Sequence, residues 1–509
     1  MNTCPLHTGA IIAGVDIEDL IYLPFDKTWA EIVRGGLEEL AKARYGARWE
    51  KKLQIRVNGE TTEGAAPFAA LIPAGQPGSG PYGGMSFVLF PSRGRPALVS
   101  LVVGTNGLAP DELALGRPGH ARKCAAIARW VREKSLAEEA WAKRDPVRID
   151  QGLPKAVKSI LAEDYGPAVE KYEKVIYASF IPHADPAGRS KAAQAALAFL
   201  DLLADEHDLT VLKDFQSQAQ EIRNSWVDCV LPRIEQWEVE TLLRDRRFVI
   251  LEGPPGTGKT RMAQEILRGS FSNRGTTIQF HPGTTYESFI GGLAPDVKGD
   301  STVGLRFLPK RGHLMDIAAL AFADPDHAYL LHIDEINRAD LSKILGEAIY
   351  LFEPLELGRS VTLAHDFGPS FGSNLRLPPN LYVLGTMNSA DRSIAILDVA
   401  VRRRFAFVTM WPDPGVLDEQ KVHPLMKEAF HRLLTEFLNE AADDAFVLMP
   451  GHAYFLDRGQ DPGRVLRTTL RPLLLEYLQQ GYLAGFADGI RAYLDWLETV
   501  TDSPDSKVD

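Results

Sequence analysis

The 509-residue sequence predicts an α/β fold, in which a parallel sheet lies between helices and a helical region follows it. Short apolar stretches alternate with helical segments between about residues 246 and 407, as in a sheet covered on both faces. After Trp411 the periodicity is helical. Ahead of the sheet, a separate α+β domain is expected, because apolar stretches at 86–90 and 97–103 are typical of a hairpin.

A chain of this length is too long for one compact core, so several units are expected. We predict an α+β N-terminal recognition or interaction domain at residues 1–185 and a helical connector at 186–244. An α/β core follows at 245–410, and a helical lid with the C-terminal tail at 411–509 completes the chain. Within the first domain, apolar periodicity predicts a helix across 120–144.

The composition, 45% hydrophobic and 24% charged, is that of an ordinary globular protein. Cys4, Cys124 and Cys229 lie far apart, without the spacing of a disulfide framework or a structural zinc site. The N-terminus lacks the basic region of a signal peptide, and no stretch approaches the ~20 apolar residues of a membrane span. A cytoplasmic protein that does not bind membranes is therefore expected.

The formal net charge of −11 is unevenly distributed. Residues 1–190 carry 24 Lys and Arg and 22 Asp and Glu. Since the whole chain has 56 basic and 67 acidic residues, residues 191–509 carry 32 basic and 45 acidic ones. Residues 93–148 hold 11 basic and six acidic side chains, so a polyanion would more readily meet the N-terminal part. A solvated helix face is the alternative explanation of these charges.

Four of the eight tryptophans, Trp29, Trp49, Trp130 and Trp141, lie in this N-terminal region among basic residues. Aromatic stacking combined with cations along a nucleic-acid backbone could hold an extruded modified base. Packing in the protein core is the alternative role for the same residues. Recognition of modified DNA by the N-terminal domain is thus one hypothesis.

A phosphate-binding loop is predicted where the apolar strand Phe248–Leu251 runs into a GxxxxGK[ST] sequence and a helix follows. Its glycines allow successive backbone N–H groups to converge on phosphate oxygens, and the helix N-terminus adds the positive end of its dipole. Lys259 is expected to reach the β- and γ-phosphates, and the Thr260 hydroxyl to bind Mg²⁺. The loop consists of Gly253, Pro254, Pro255, Gly256, Thr257, Gly258, Lys259 and Thr260.

Two acidic residues, Asp334 and Glu335, end a second buried strand predicted at Tyr329–Ile333. Open α/β sheets bind their ligands at the carboxyl ends of the strands. Asp334 suits the carboxylate that holds Mg²⁺, and Glu335 suits the group that orients or deprotonates the attacking water. An acidic pair on the surface is the alternative, which the distance of 74 residues from Thr260 within one unit disfavours.

A third predicted strand, Leu381–Gly385, also ends in polar residues and places Asn388 to hold the attacking water or the γ-phosphate. Arg402, Arg403 and Arg404 follow it. An arginine that enters the site of a neighbouring subunit can stabilise transition-state charge. A solvated face or a salt-bridge site is the alternative role for the cluster.

These motifs together resemble McrB, the motor subunit of modification-dependent restriction systems, within the AAA+ NTPases. The resemblance covers about residues 245–480. It rests on GPPGTGKT, on FHPGTTYESFIGGLAP at 280–295, on DEINRAD at 334–340 and on MNSADRSIAILDVAVRRRF at 387–405. GHAYF at 451–455, followed by LRPLLLEY, matches the lid of that family. The N-terminal region resembles uncharacterised modules that precede such motors.

The resemblance implies a P-loop AAA+ NTPase that uses Mg²⁺ and hydrolyses GTP or ATP, with GTP preferred by characterised members. It also implies a hexameric ring and a separate nuclease partner of the McrC type. Arg464, Arg467 and Arg471 are equal candidates for a sensor in the lid. By the same resemblance, Lys259 and Thr260 bind phosphate and Mg²⁺, Asp334 binds the metal, and Glu335 is the catalytic base. Asn337 and Asn388 lie beside the attacking water, and Asp391 and Arg392 belong to the same signature. Arg403, with Arg404 beside it, is the arginine that acts in trans.

The leading functional hypothesis is a ring motor that couples NTP hydrolysis to DNA translocation or nuclease activation in a restriction or defence complex. A protein-remodelling ATPase of the MoxR type, which needs no nucleic acid, is the alternative. A slowly hydrolysing scaffold that signals by its assembly state is a third. No nuclease motif stands out in the sequence, so cleavage is expected to belong to a partner.

Overall fold

The structure, a computed structural model, describes residues 16–60, 66–76, 83–105, 117–144, 152–295, 307–354, 356–390, 397 and 399–501. The chain divides into two compact units. The first comprises Met1–Leu231 with Glu436–Ala442, and the second comprises Pro232–Thr435 with Asp443–Asp509. The change of unit after Leu231 falls inside the predicted connector, 186–244, whose helices are divided between the two units.

The first unit contains a six-stranded antiparallel sheet in the order β1-β2-β3-β4-β6-β5. Its strands are β1 (Leu53–Asn58), β2 (Phe68–Pro73), β3 (Gly83–Phe90), β4 (Leu98–Thr105), β5 (Glu139–Ala142) and β6 (Ile176–Ile181). The predicted hairpin is confirmed, because β3 and β4 pair along their whole length. Every residue of β3 is buried, so both faces of the sheet are covered at its centre.

Helices cover both faces of this sheet, which confirms the predicted α+β class. On one face, Val88, Phe90 and Val102 pack against Leu161 and Val169. On the other face, Phe180 lies 5.6 Å from the ring of Phe199. In the described residues, the helices of this unit are α1 (Ile17–Ile21), α2 (Trp29–Tyr45), α3 (His120–Glu133), α4 (Lys155–Tyr172), α5 (Arg189–Glu206) and α6 (Lys213–Val227).

The helix predicted across 120–144 is too long, because α3 ends at Glu133. Ser135 adopts a left-handed conformation with φ of 49°, which turns the chain out of the helix. Glu139–Ala142 then pairs with β6 as the edge strand β5. The backbone hydrogen bonds of this pairing outweigh the helical propensity of the alanine- and glutamate-rich sequence, an effect of tertiary context that local periodicity does not contain.

The tryptophans of the N-terminal region belong to its core. Trp29, Trp49, Trp130 and Trp141 are only 1% to 5% exposed. A ring with so little exposed surface cannot stack on a base without local unfolding. The hypothesis that these four residues hold an extruded base is therefore wrong, and core packing is their role.

A buried ion pair connects three helices of the first unit. Arg44 in α2 contacts Asp201 in α5 through two hydrogen bonds of 2.6 and 2.5 Å, and its side chain is 2% exposed. The guanidinium also donates to Gln218 in α6 at 3.0 Å, and the Tyr45 hydroxyl donates to Asp201 at 2.7 Å. Each charged group in this cluster therefore has several partners, as burial of charge requires.

The second unit contains a parallel sheet, as predicted, and its five strands lie in the order β15-β7-β14-β11-β8. Two antiparallel hairpins, β9 with β10 and β12 with β13, accompany it. In chain order the strands are β7 (Phe248–Gly253), β8 (Gly275–Gln279), β9 (Gly291–Pro295), β10 (Phe307–Arg311), β11 (Tyr329–Asp334), β12 (Ser360–Thr362), β13 (Asn374–Arg376), β14 (Leu381–Asn388) and β15 (Ala406–Thr409).

Alternating side chains of this sheet pack against helices on opposite faces. Ile250 and Ile333 belong to one apolar cluster, whereas Val249, Leu330 and Leu384 belong to the other. The chain is helical after the sheet, which confirms that part of the predicted fold. The described helices from residue 236 onward are α7 (Gln236–Arg246), α8 (Lys259–Arg268), α9 (Tyr286–Phe289), α10 (His313–Ala323), α11 (Leu341–Leu345), α12 (Val399–Arg402), α13 (Gly415–Glu419), α14 (Pro424–Glu440), α15 (Asp443–Phe446), α16 (Pro462–Val465), α17 (Arg471–Gln479) and α18 (Ala487–Thr501).

Within the described ranges of the chain, no helix has the length and apolar character needed to cross a bilayer.

The Arg44 cluster leads to a stability prediction. Replacement Arg44→Ala is expected to lower the free energy of unfolding of the first unit by about 3 kcal/mol, because Asp201, whose side chain is only 18% exposed, would lose its cation. Arg129→Ala is the control, since Arg129 forms an exposed pair with Glu133, with side chains 47% and 50% exposed, and should cost less than about 0.5 kcal/mol. Denaturant unfolding of the full chain, followed by tryptophan fluorescence, measures both; equal losses would contradict the prediction.

Candidate active site

The carboxyl ends of three neighbouring strands form the candidate site. Strand β14 lies between β7 and β11, and its register places Asn388 opposite Gly253 and Gly385 opposite Ile333. Asp334 follows Ile333 directly, so the ends of the three strands meet at one edge of the sheet. The structure thus brings together the phosphate loop, the acidic pair and Asn388 as the sequence predicts.

The phosphate loop requires glycine at particular backbone positions. Gly253 has φ of 153°, and a Cβ at this residue would lie 2.2 Å from the carbonyl oxygen of Met410. Gly258 is left-handed, with φ of 85°, and immediately precedes α8. The loop therefore leads directly into a helix N-terminus, where backbone N–H groups remain available to an anion.

Lys259 lies folded against its own loop. Its Nζ donates to the carbonyl oxygens of Gly253 at 3.0 Å and of Pro254 at 2.6 Å. Burial lowers the pKa of Lys259 to about 8, although the negative charges of Glu335 and Asp334 oppose the shift. A cation that is removed from water in this way gains strongly from a polyphosphate partner.

Asp334 connects the phosphate loop to strand β14. Its Oδ1 accepts a hydrogen bond from the Thr260 hydroxyl at 2.8 Å and a short one from the Thr386 hydroxyl. Hydroxyl and carboxylate oxygens are the ligands that Mg²⁺ prefers, so Thr260 and Asp334 fit such an ion. Over the described ranges no three His, Cys, Asp or Glu side chains could hold a metal by themselves, so an ion here would need phosphate and water oxygens as well.

The backbone of Glu335 adopts a left-handed conformation, with φ of 54°, which is uncommon for residues other than glycine. Its backbone N–H donates to the Thr386 hydroxyl at 3.4 Å. Its buried Oε2 receives no hydrogen bond from the described residues and lies 3.5 Å from Nε of Arg338. A carboxylate oxygen with free acceptor capacity in a partly buried site can orient or deprotonate water.

Two asparagines adjoin the acidic pair. The Asn337 side chain, 5% exposed, donates from Nδ2 to the backbone oxygen of Asn388 at 3.3 Å. The Asn388 side-chain oxygen accepts a hydrogen bond from the backbone of Ala390 at 3.2 Å. Both predicted residues therefore lie beside the acids. Asp391 and Arg392, of the same signature, lie outside the described residues.

The three consecutive arginines differ in their surroundings. Arg404 is 6% exposed and donates to the backbone oxygen of Ala400 at 2.8 Å, so it is buried within its own subunit. Arg402 is exposed and places its guanidinium 5.3 Å from the centre of the Phe407 ring. Arg403 is exposed, and its guanidinium forms no hydrogen bond or ion pair with the residues that the structure describes. Of the three side chains, Arg403 is the one that could extend to another molecule.

A segment of the helical region pairs directly with the phosphate loop. The backbone N–H of Gly451 donates to Pro255 at 2.8 Å, and that of Ala453 donates to Gly256 at 3.0 Å. A Cβ on Gly451 would lie 2.1 Å from the carbonyl carbon of Gly256, so only glycine allows this approach. We call residues 451–455 the clasp segment.

None of the three lid arginines is seen on the phosphate loop. Arg467 donates to the backbone oxygen of Thr501, and Arg471 pairs with Glu498 at 2.6 Å, both in α18. Arg464 is exposed. Among the described residues of the predicted lid, the clasp segment, rather than these arginines, is therefore seen to hydrogen-bond to the loop.

Thr386 is a site residue that the sequence reasoning missed. It binds Asp334 and Glu335 and lies two residues before Asn388 on β14. Residues at this spacing share one face of a strand, so the alternation of β14 is a signal that could have identified it. His452, in the clasp segment, was also missed, since its neighbours in space are remote in sequence.

Comparison with known proteins agrees with this geometry. Residues 248–405 match the AAA domain of the dynein-related subfamily. The chain is 33% identical over 269 residues to the Type IV methyl-directed restriction enzyme EcoKMcrB subunit of Escherichia coli, covering 48% of this chain and 57% of that protein. It is 28% identical over 191 residues to the Type II restriction enzyme BsuMI component YdiS of Bacillus subtilis, covering 31% of this chain and 55% of that protein.

A third relative is the cytoplasmic dynein heavy chain of Saccharomyces cerevisiae, 34% identical over 130 residues, which are 25% of this chain and 3% of the dynein. The chain spans about half the length of the two restriction-enzyme relatives. The phosphate loop, the acids at the end of β11 and these similarities agree with each other. Residues 248–405 are a P-loop AAA domain, and the chain is similar to the McrB subunit and to a second restriction-enzyme component.

Proposed function

We propose that this protein is a Mg²⁺-dependent GTP or ATP hydrolase that works as an McrB-like ring motor. It couples hydrolysis to DNA translocation or nuclease activation in a restriction or defence complex. The observation that carries the proposal is the meeting of Lys259, Thr260, Asp334 and Glu335 at one edge of the parallel sheet. The relatives from E. coli and B. subtilis, both named as parts of restriction enzymes, support the biological setting.

The residues divide the work of hydrolysis. The phosphate loop and Lys259 bind the triphosphate, and Glu335 orients or deprotonates the attacking water, with Asn337 and Asn388 beside it. Thr260 and Asp334 would hold Mg²⁺. The ion supplies neutralisation of the charge that develops on the phosphate oxygens. Each of these groups is held by the end of a strand or a helix, which fixes it relative to the others.

A hexameric ring would complete this site. The Arg403 side chain is exposed and forms no hydrogen bond or ion pair with the described residues, and Arg403 directly follows α12, the last helix before β15. We propose that it enters the site of the neighbouring subunit and stabilises transition-state charge there. Arg404, which the resemblance places beside it, supports the position of α12 through its bond to Ala400.

The proposed partners are a nuclease subunit of the McrC type and modified DNA. The names of the two restriction-enzyme relatives, a subunit and a component, support a separate partner chain. Modified DNA would meet the N-terminal domain, where residues 93–148 carry an excess of basic side chains. With the tryptophans buried, this contact would depend on cations rather than on those aromatic rings.

The alternative function is that of a MoxR-like remodelling ATPase, which would need no nucleic acid.

Hydrolysis of ATP and GTP, measured in parallel with and without methylated DNA, tests the proposal. Glu335→Gln should still bind nucleotide but turn over at least about 100-fold more slowly, because the water loses its base. Lys259→Ala should lose nucleotide affinity, because the triphosphate loses its buried cation. Turnover equal to wild type in both variants would refute the assignment of the site, and turnover that DNA leaves unchanged would favour protein remodelling.

The metal assignment leads to a second prediction. Thr386→Val removes the hydroxyl that holds Asp334 and is expected to raise the Mg²⁺ concentration for half-maximal hydrolysis about tenfold, as loss of a ligand-orienting bond does. Thr409→Val is the matched control, since its hydroxyl donates to Glu252 at 3.2 Å on the neighbouring strand. An unchanged Mg²⁺ requirement in the Thr386 variant would contradict the role of this bond.

The arginine in trans can be tested by mixing inactive subunits. Arg403→Ala should reduce hydrolysis at least about 100-fold, and Glu335→Gln is inactive for a different reason. Mixed rings should regain activity, because a Glu335→Gln subunit keeps Arg403 and can donate it to the intact site of an Arg403→Ala neighbour. Arg402 is the control, because its guanidinium lies over the Phe407 ring. The Arg402→Ala variant should stay active without mixing. Mixtures as inactive as their components would refute the contact between subunits.

A further inference from the structure

A cavity of about 280 Å³ opens beside the phosphate loop within the second unit. Thr257 and Gly258 of the loop line one side, Met262 of α8 continues this wall, and Trp411 faces it. His452 of the clasp segment also lines the cavity. Because the loop fixes where the phosphates of a nucleotide bind, this adjoining space is where the remainder of the nucleotide can extend.

The charges around this cavity disfavour further phosphate groups. Four carboxylates and two arginines line it, so the wall is acidic overall. The arginines are already committed to these carboxylates at distances between 2.8 and 3.4 Å. The pairs are Arg261 with Glu265, and Arg233 with Glu235, Asp413 and Glu419. An uncharged nucleoside fits such a wall better than a phosphate does.

The hydrogen bonds of His452 fix where its proton lies. His452 lies in sequence between Gly451 and Ala453, whose backbone bonds join the clasp segment to the phosphate loop. Its Nδ1 accepts a hydrogen bond from the backbone N–H of Asp413 at 3.1 Å. A backbone N–H can only donate, so Nδ1 is the acceptor and the proton of the neutral ring resides on Nε2. Burial lowers the pKa of His452, with Asp413 opposing, which keeps the ring neutral near pH 7.

The Nε2 edge of the ring is turned toward the phosphate loop. A Cβ built on Gly258 would have His452 Nε2 as its only neighbour within 4 Å, at 3.8 Å. The donor therefore lies at the border between the loop and the cavity. No residue in the described part of the chain accepts a hydrogen bond from it.

We propose that His452 binds the nucleoside part of the nucleotide by donating a hydrogen bond from Nε2 to an acceptor on the base or the ribose. This inference rests on the proposed NTPase function and adds a contact that the phosphate loop cannot provide. It makes the clasp segment a second point of attachment for the nucleotide, and it allows that segment to sense whether a nucleoside is present.

Two substitutions separate this contact from a structural role of His452. His452→Asn keeps an acceptor near Nδ1 for the Asp413 backbone but loses the Nε2 donor. His452→Gln places an amide N–H near Nε2 and loses the acceptor. We expect His452→Asn to weaken NTP binding about two- to tenfold, the range of one neutral hydrogen bond, and His452→Gln to remain within about twofold of wild type. Both should bind inorganic triphosphate like the wild type, because that ligand has no nucleoside.

Calorimetry on the full chain with ATP, GTP and inorganic triphosphate provides these affinities. His423→Asn is the control, because its exposed ring also accepts a backbone N–H, from Leu425 at 3.1 Å, but lies outside the cavity. The 7-deaza and 2′-deoxy analogues then test the base N7 and the ribose O2′ as the acceptor: the analogue that lacks the acceptor should weaken wild-type binding and bind His452→Asn as the unmodified NTP does.

The contact is refuted if the His452→Asn variant binds NTP like the wild type. It is also refuted if this variant loses affinity for inorganic triphosphate and for NTP equally, because an equal loss indicates a disturbed phosphate loop. In both cases the wild type still binds and hydrolyses NTP, so the proposed function stands. A wild-type chain that binds no NTP would overturn the proposed function together with this inference.

Discussion

The in-register pairing of β7, β14 and β11 is the constraint on which the rest of the site depends. It brings the phosphate loop, Asn388 and Asp334 to one edge although they are far apart in sequence. Because successive side chains of a strand point to opposite faces, a slip of one residue in β14 would turn Thr386 away from Asp334 and place its neighbour there instead. Apolar residues on both faces of the sheet fix this register by packing against helices.

The sequence predicts this part of the structure well because its chemistry imposes local rules. A loop that wraps phosphates needs glycine where φ is positive, and a buried parallel strand needs a predominantly apolar stretch. Both rules leave a mark in consecutive residues, as in Gly253–Thr260 and Tyr329–Asp334. The end of α3 and the strand Glu139–Ala142 could not be predicted in this way, since they depend on pairing with β6, which follows more than thirty residues later.

Charge divides the nucleotide site into two ends. At the phosphate end, the desolvated Lys259 and the free N–H groups of the loop require an anion, whereas Asp334 and Glu335 require a cation or water between themselves and that anion. At the other end, the carboxylates around the adjoining cavity already bind the arginines, and His452 contributes only a neutral donor. The polarity of the site therefore orients a nucleotide before any base-specific contact forms.

The clasp segment explains how such a site can control the lid. Gly451 and Ala453 bind the phosphate loop through backbone groups alone, so neither hydrogen bond involves a nucleotide base. His452, between them, is the side chain of the segment that lines the cavity. A ligand changes the position of an element only through a contact that differs between its states. A contact made by this side chain would therefore connect the identity of the bound molecule to the lid, whereas the backbone bonds keep the segment on the loop. The pairing of the clasp segment with the phosphate loop joins residues some 200 positions apart, and no local pattern in the sequence reveals it.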